Sequence, residues 1–336
     1  MTAGGGDDGS PRHTRRAIFS VDGAAGTATP RHDDIAGEEP LHIRVRARFV
    51  DDGDGRDDVA GGVAAAVPDE RTLSITLRTP DRGRGDISDI DEMGTGRSDD
   101  RDLALGYLFA EGVLTRRADV VAVTCPGPDR VTVTLRDDLR VPFGRVERQG
   151  ITSSACGLCG KRDDEGLLMG LGPDRGVAIA PDRLPPLSPT LIADLPARLR
   201  AAQPTFARTG GLHAAGLFSW QGQLIDARED IGRHNAVDKV LGARLWVGAP
   251  DRPLSLREHI LVISGRAGFE LVQKARMACI PLLVAVGAPS SMAVRWADEG
   301  QMTLVAFCRD GRFNVYAAPD RIAMKPAQQR PDLPSG

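Results

Sequence analysis

The sequence predicts an α/β protein in which a small α+β unit precedes a larger layered α/β unit, and three observations carry that expectation. Leu41, Ile43, Val45, Ala47 and Phe49 alternate with His42, Arg44, Arg46 and Arg48, the period-two pattern of a half-buried strand. Asp102 to Glu111 is apolar on most faces of a helix, so that helix should be buried. From Leu261 onward, short apolar runs alternate with helical spacing, as in a layered α/β unit.

Taken in order, residues 1 to about 38 are rich in Gly, Asp, Arg, Thr and Pro without periodicity, and the expectation is a disordered extension. A small α+β domain is expected over 39–145. After the strand at Leu41, the polar stretch 51–62 leads to a second alternating run at Leu73, Ile75 and Leu77, which stops at Pro80. The segment 81–101 reads as a loop insert. Asp99 or Asp100 is the expected cap of the helix from Asp102, which should end near Gly112. Val120 to Thr124 and Val131 to Leu135 flank Pro126-Gly127-Pro128-Asp129 as a hairpin. Residues 146–200, containing the Pro-rich run Pro181 to Pro189, read as a linker.

The second unit is expected over 201–325, with a tail at 326–336. Leu217 to Trp220 and Leu224 to Ala227 flank Gln221-Gly222 as a hairpin, and Asn235 to Leu241 has helical spacing. Leu261 to Ile263, Leu282 to Val286 and Thr303 to Phe307 are the expected strands, with helices at Glu270 to Ala278 and Ser291 to Ala297.

At 336 residues and a formal net charge of −3, the chain has no overall charge that would favour nucleic acid. It contains no run of about 20 apolar residues and no apolar leader, so no membrane span and a cytoplasmic location are expected. The 5 cysteines form no disulfide framework and should be thiols in a reducing compartment. Cys125, Cys279 and Cys308 sit within or beside apolar runs, where cysteine behaves as a small buried hydrophobe.

Cys156 and Cys159 differ, because they lie in Thr152-Ser-Ser-Ala-Cys-Gly-Leu-Cys-Gly-Lys161, among small residues with cations adjacent. Lys161 and Arg162 favour the nucleophilic thiolate, and the glycines leave the backbone free to present sulfur to another protein. A thiol can carry a persulfide, which a second cysteine can release by attack. A structural zinc site would need about four ligands, and no second pair is suitably spaced. A thioredoxin-like pair would be expected to open a helix after a strand, which this context does not resemble.

A second polar cluster comprises Thr209-Gly-Gly-Leu-His213 and Glu229 to Lys239. Gly232, Arg233, His234 and Asn235 at a helix start would offer backbone donors and a cation to a phosphate or polar heterocycle; equally, they could be an ordinary capped helix start. Ser264-Gly265-Arg266 follows a buried strand, where ligands bind in open α/β sheets. Glu270 and Lys274, four residues apart, read as a helix-surface ion pair. The arginines of Cys308-Arg-Asp-Gly-Arg312 suit either a phosphate clamp or a solvated turn.

Together, Leu103 to Gly112, Ser154 to Lys161, Thr209 to His213, Gly232 to Lys239 and Ser264 to Arg266 resemble the FdhD family of formate dehydrogenase accessory sulfur carriers over roughly residues 40 to 325. The resemblance implies a sulfurtransferase that takes persulfide sulfur from a cysteine desulfurase. It would pass that sulfur to the molybdenum bis(molybdopterin guanine dinucleotide) cofactor of formate dehydrogenase. By the same resemblance Cys156 is the persulfide site and Cys159 its partner. Phe307, Cys308, Arg309, Asp310, Gly311 and Arg312 correspond to the cofactor-binding segment, with Arg266, His213, Arg233 and His234 as further cofactor contacts. The larger domain should be a cytidine-deaminase-like three-layer α/β/α unit, and the protein a homodimer. Deamination does not follow, since the sequence has neither His-x-Glu nor Pro-Cys-x-x-Cys. No metal of its own is expected. The alternatives are a non-enzymatic molybdenum-cofactor chaperone and, further off, a redox or zinc Cys-x-x-Cys protein.

Overall fold

The computed structural model describes residues 12–50, 68–80, 98–142, 151–152 and 184–324. The first ordered element is one that composition does not anticipate. Strands β1 (His13–Asp22) and β2 (Thr27–Ala36) form an antiparallel hairpin within the stretch expected to be disordered. A lone two-stranded ribbon is marginal in water. This one is held at its base by partners distant in sequence, which no local reading reveals: Arg12 pairs with Asp99, and Arg208 lies 3.7 Å from Asp34.

The first sheet has the order β5-β6-β3-β4-β8. It is built from β3 (Glu39–Val50), β4 (Asp69–Arg78), β5 (Val120–Gly127), β6 (Arg130–Leu135) and β8 (Ile151–Thr152), with β7 (Arg140–Pro142) paired to β3. The alternation read from the sequence is realised: Leu41, Ile43, Val45 and Ala47 are buried against the helices while the intervening arginines face out. Helix α1 (Asp99–Ala110) starts earlier than expected because Ser98, not Asp99 or Asp100, is its cap, accepting from the Arg101 N–H at 3.2 Å. It stops at Gly112, whose φ of +78° suits the turn that follows a helix.

The stretch expected to be a linker ends in a helix, α2 (Pro189–Ala201), and a short helix, α3 (Pro204–Thr209), follows it. The proline run that suggests a linker actually starts α2: Ser188 caps it and Pro189 occupies a first-turn position where no N–H is needed. Its buried residues Ile192, Leu195 and Leu199 cover one face of the second sheet.

That sheet has the order β10-β9-β11-β12-β13-β14. Its elements, in chain order, are β9 (His213–Ser219), β10 (Leu224–Asp230), α4 (Arg233–Val247), β11 (His259–Ile263), α5 (Phe269–Met277), β12 (Leu282–Ala285), α6 (Ser291–Glu299), β13 (Thr303–Arg309) and β14 (Arg312–Ala317). β11, β12 and β13 are mutually parallel. Alternate residues divide between the faces: Ile260 and Val262 pack toward α2, Leu261 and Ile263 toward the opposite core. That core contains α1, α4, α5 and α6 and runs on to the inner face of the first sheet.

Within it α1 and α4 cross in backbone contact. A Cβ at Gly106 would fall 1.9 Å from the Asp238 carbonyl oxygen, and one at Gly242 would fall 1.8 Å from that of Asp102. A charged network fills the same junction. Lys239 is fully buried and lies 2.7 Å from Asp230, while Arg228 bridges Asp99 and Asp102, each at 2.8 Å. Burial raises the proton affinity of Asp102, opposed by Arg101 and Arg228. Burial disfavours the Arg228 cation, yet Asp226, Asp102 and Asp99 raise its pKa on balance. Asp230 accepts from the Thr79 N–H at 3.1 Å, and Asn235 donates to the Leu77 carbonyl at 2.8 Å, so the end of β4 is tied to the start of α4. No described helix is long and apolar enough to cross a membrane.

Candidate functional site

The carboxyl ends of the parallel strands β11, β12 and β13 are where side chains leave the sheet plane, the usual ligand position in open α/β sheets. Main-chain bonds stitch these ends together: Gly287 N–H donates to the Gly265 carbonyl at 3.0 Å, and Phe307 N–H to the Gly287 carbonyl at 3.1 Å. Ser264 Oγ accepts from the Ala214 N–H at 2.9 Å, fixing the loop after β11 to the start of β9. Gly265 packs against both neighbouring motifs, since a Cβ there would sit 3.3 Å from His213 Nδ1, a slightly tight contact, and 3.7 Å from Arg233 Cδ, an ordinary one. His213, Arg233 and the Ser264-Gly265-Arg266 loop thus meet, as three separate sequence motifs suggested.

His213 is half-buried, and its pKa is lowered, first by burial and then by Arg233, with Asp230 opposing. It is therefore a neutral imidazole at pH 7, and among the described residues its ring makes no hydrogen bond. Helices α4 and α5 start at Gly232 and Gly268, neither with a side-chain cap, and their first turns lie at this edge. His234 Nε2 is 3.6 Å from Glu270 Oε2, and Lys274 reaches Asp238 at 2.6 Å. Glu270 and Lys274 are thus not a surface pair. Both are buried, because α5 packs into the helical layer and each carries its charge to a partner on α4.

Beside His213 opens a cavity of about 630 Å³, lined on one side by Leu199, Phe206 and Leu212 of the α2–α3 region and on the other by Ser264, Val286 and Arg309. Arg200 stacks over the Phe206 ring at 3.7 Å. Leu199 and Arg200 fall in the segment that reads as linker, where the capping Ser188 before Pro189 is the signal of their helix, and Phe206 belongs to no sequence motif, whereas Leu212, Ser264 and Arg309 lie in motifs the sequence does mark.

The segment Phe307 to Arg312 divides. Phe307 has φ +52° at a β-bulge and turns outward, 36% exposed. Cys308 turns inward and is fully buried, its Sγ 3.5 Å from the Ile192 carbonyl oxygen. Burial pushes its pKa up to about 11, which keeps it a thiol at neutral pH. Cys125 and Cys279 are half-buried. Arg309 and Asp310 line the cavity, while Gly311, with φ +72°, and Arg312 complete the exposed turn beyond it. Arg266 is exposed on its loop.

Cys156 and Cys159 lie outside the described residues, but the root of their segment does not. β8 pairs in parallel with β4, placing Thr152 opposite Thr76, and Thr76 Oγ1 lies 3.3 Å from Asn235 Oδ1 in the first turns of α4. Cys156 is four residues after Thr152 in sequence, a span of at most about 14 Å of extended chain. Because β8 and β4 run the same way, β8 heads toward Thr79 and the Asp230–Gly232 corner, one edge of the site.

Comparison with known proteins shows which family the chain resembles and supports its fold. The model of the FdhD/NarQ family matches residues 86–323. The sulfur carrier protein FdhD of Streptomyces coelicolor is 41% identical over 325 residues, covering 93% of this chain and 96% of its own. That of Nocardia farcinica is 42% identical over 300 residues, covering 87% and 89%. A crystal structure from Desulfotalea psychrophila, provisionally assigned as a formate dehydrogenase accessory protein, superposes with a TM-score of 0.61 at 21% identity. It covers 93% of this chain and 100% of its own, and supports the mixed α/β fold.

Proposed function

The chain belongs to the FdhD/NarQ family of sulfur carriers, and from that premise we propose that it carries sulfur as a persulfide on Cys156 and delivers it to a molybdenum cofactor bound at the carboxyl edge of the second sheet. The observation that carries this reading is the pairing of β8 with β4, which roots the Cys-x-x-Cys segment beside the first turn of α4.

The chemistry balances with the residues of this chain. The Cys156 thiolate attacks the terminal sulfur of a donor persulfide; the donor S–S bond breaks, and the donor cysteine leaves as thiolate. Attack of the Cys159 thiolate on the Cys156 sulfur then releases hydrosulfide and leaves a Cys156–Cys159 disulfide, the cysteine pair supplying the two electrons that reduce the transferred sulfur. Such thiols need a reducing compartment, so a cytoplasmic setting is part of the proposal.

The acceptor is substrate rather than resident cofactor. Molybdenum bis(molybdopterin guanine dinucleotide) is anionic through its phosphates and flat at its heterocycles, and the edge residues suit both. Arg266, Arg309 and the uncapped first turns of α4 and α5 offer cations and N–H donors. The 630 Å³ cavity offers apolar walls at Phe206 and Leu212. His213, neutral and without a ring hydrogen bond among the described residues, can donate or accept one. Cysteine desulfurase is the proposed donor and formate dehydrogenase the client.

Intact-mass spectrometry after incubation with a cysteine desulfurase and L-cysteine tests the carrier step. A reductant-labile gain of about 32 Da, one sulfur on a thiol, should appear on the wild type and vanish in Cys156→Ala. Absence of the gain on the wild type would refute the carrier chemistry and leave the cofactor-chaperone reading.

A further inference from the structure

The outer face of the first sheet is a surface that the cofactor site does not use. β3 presents His42, Arg44, Arg46 and Arg48 there, none of them buried, and β6 adds exposed Arg130. Glu70 is the carboxylate among them, 2.7 Å from Arg44 and 3.2 Å from Arg46. Arg48 and Arg130 have no ion pair among the described residues. Such a concentration of positive charge in a chain whose net charge is −3 is a local feature rather than a bulk one.

Its position matters as much as its sign. Arg130, His42, Ile75 and Ile151 fall in one register row across β6, β3, β4 and β8. β8 is thus two strand spacings, about 10 Å, from the basic strand β3. Cys156 follows the end of β8 by four residues. A protein seated on this face would meet the carrier segment at its root.

Building on the sulfur-carrier reading, we propose that this face is the docking surface for the protein that donates sulfur, which recognises it through an acidic surface beside its own persulfide-bearing cysteine. Complementary charge would steer the encounter and orient the two cysteines for the exchange written above, in which the acceptor thiolate takes the terminal sulfur and the donor thiolate departs. Nucleic acid fits less well, since Glu70 sits within the patch.

The test uses the full-length protein with Arg46→Glu, Arg48→Glu and Arg130→Glu combined, and a control carrying Arg252→Glu and Arg257→Glu, exposed before β11. Persulfide loading is followed by intact mass with two donors, a purified cysteine desulfurase with L-cysteine, or inorganic polysulfide. The proposal expects desulfurase-dependent loading to fall at least tenfold in the triple variant, with polysulfide loading unchanged and the control like wild type. Wild-type loading by the desulfurase should also weaken as salt rises. Equal loading of triple variant and wild type by the desulfurase overturns the docking surface while leaving the carrier reading intact. So does a change confined to duplex DNA binding or to oligomeric state. A wild type that neither donor loads overturns the carrier reading and this proposal together.

Discussion

Two polar regions of this protein look alike in sequence and behave oppositely in structure. In the interior, Asp99, Asp102, Asp230, Arg228 and Lys239 are buried and mutually paired. At the edge of the second sheet, His213, Arg266 and Arg309 are half-buried or exposed, and the His213 ring makes no hydrogen bond among the described residues. The run from Glu229 to Lys239 feeds both. Asp230, Asn235 and Lys239 hold β4 to α4, whereas Arg233 and His234 stand at the edge. Density of polar residues marks where charge is concentrated; only the direction of each side chain separates what holds the fold from what can receive a ligand.

Disturbing the interior should break the fold and spare no function. The largest effect is expected from Gly106→Ala or Gly242→Ala, because the added Cβ meets a carbonyl oxygen of the facing helix, at 1.9 and 1.8 Å, and no rotamer relieves it. A loss of about 4 kcal/mol or more, seen as insoluble protein or a collapsed melting temperature, is the expected result; near-wild-type melting would mean that α1 and α4 do not touch there. Lys239→Met comes next, leaving Asp230 buried without its 2.7 Å cation. Removing one partner of a buried pair costs about 3–5 kcal/mol, measurable by denaturant titration.

Arg12→Ala should cost less, about 2 kcal/mol by the scale of charged hydrogen bonds, since Asp99 keeps Arg228 at 2.8 Å and Lys239 at 3.7 Å. Its signature is local. Amide exchange should rise across β1 and β2 alone, and a uniform rise would show that the hairpin is not a separately anchored unit. The smallest effect belongs to the edge. Because the His213 pKa lies below the ordinary 6.5, the unfolded chain takes up a proton that the folded one refuses, so stability is lost as pH falls below 6.5. Melting between pH 7.5 and 5.5 should therefore decline more steeply for the wild type than for His213→Gln.

These contrasts show what was legible in advance. Strands with strict alternation, such as Leu41 to Phe49, and the α/β succession after Leu261 could be read because burial leaves a periodic trace. The hairpin at 13–36 could not, since its strands are largely exposed and its stability comes from Asp99 and α3, far along the chain. α2 was obscured by its prolines, although Pro189 is a start signal and Pro196 is accommodated within the helix. In the site, Gly265, His213 and Arg233 come together and Cys308 is buried, as its apolar neighbours lead one to expect, whereas the bulge that turns Phe307 outward leaves no sequence pattern. Likewise, the i,i+4 spacing of Glu270 and Lys274 suggested a mutual pair, because spacing alone does not show that α4 supplies both partners.

The most direct test of the division between interior and edge is calorimetric titration of guanosine diphosphate, as the fragment of the proposed acceptor that carries its phosphates and base, into wild type and Arg266→Ala/Arg309→Ala. The account predicts at least a tenfold loss of affinity in the double variant, with a melting temperature within a few degrees of wild type, as exposed substitutions allow. Unchanged affinity would contradict it and move the acceptor away from the carboxyl edge of the second sheet.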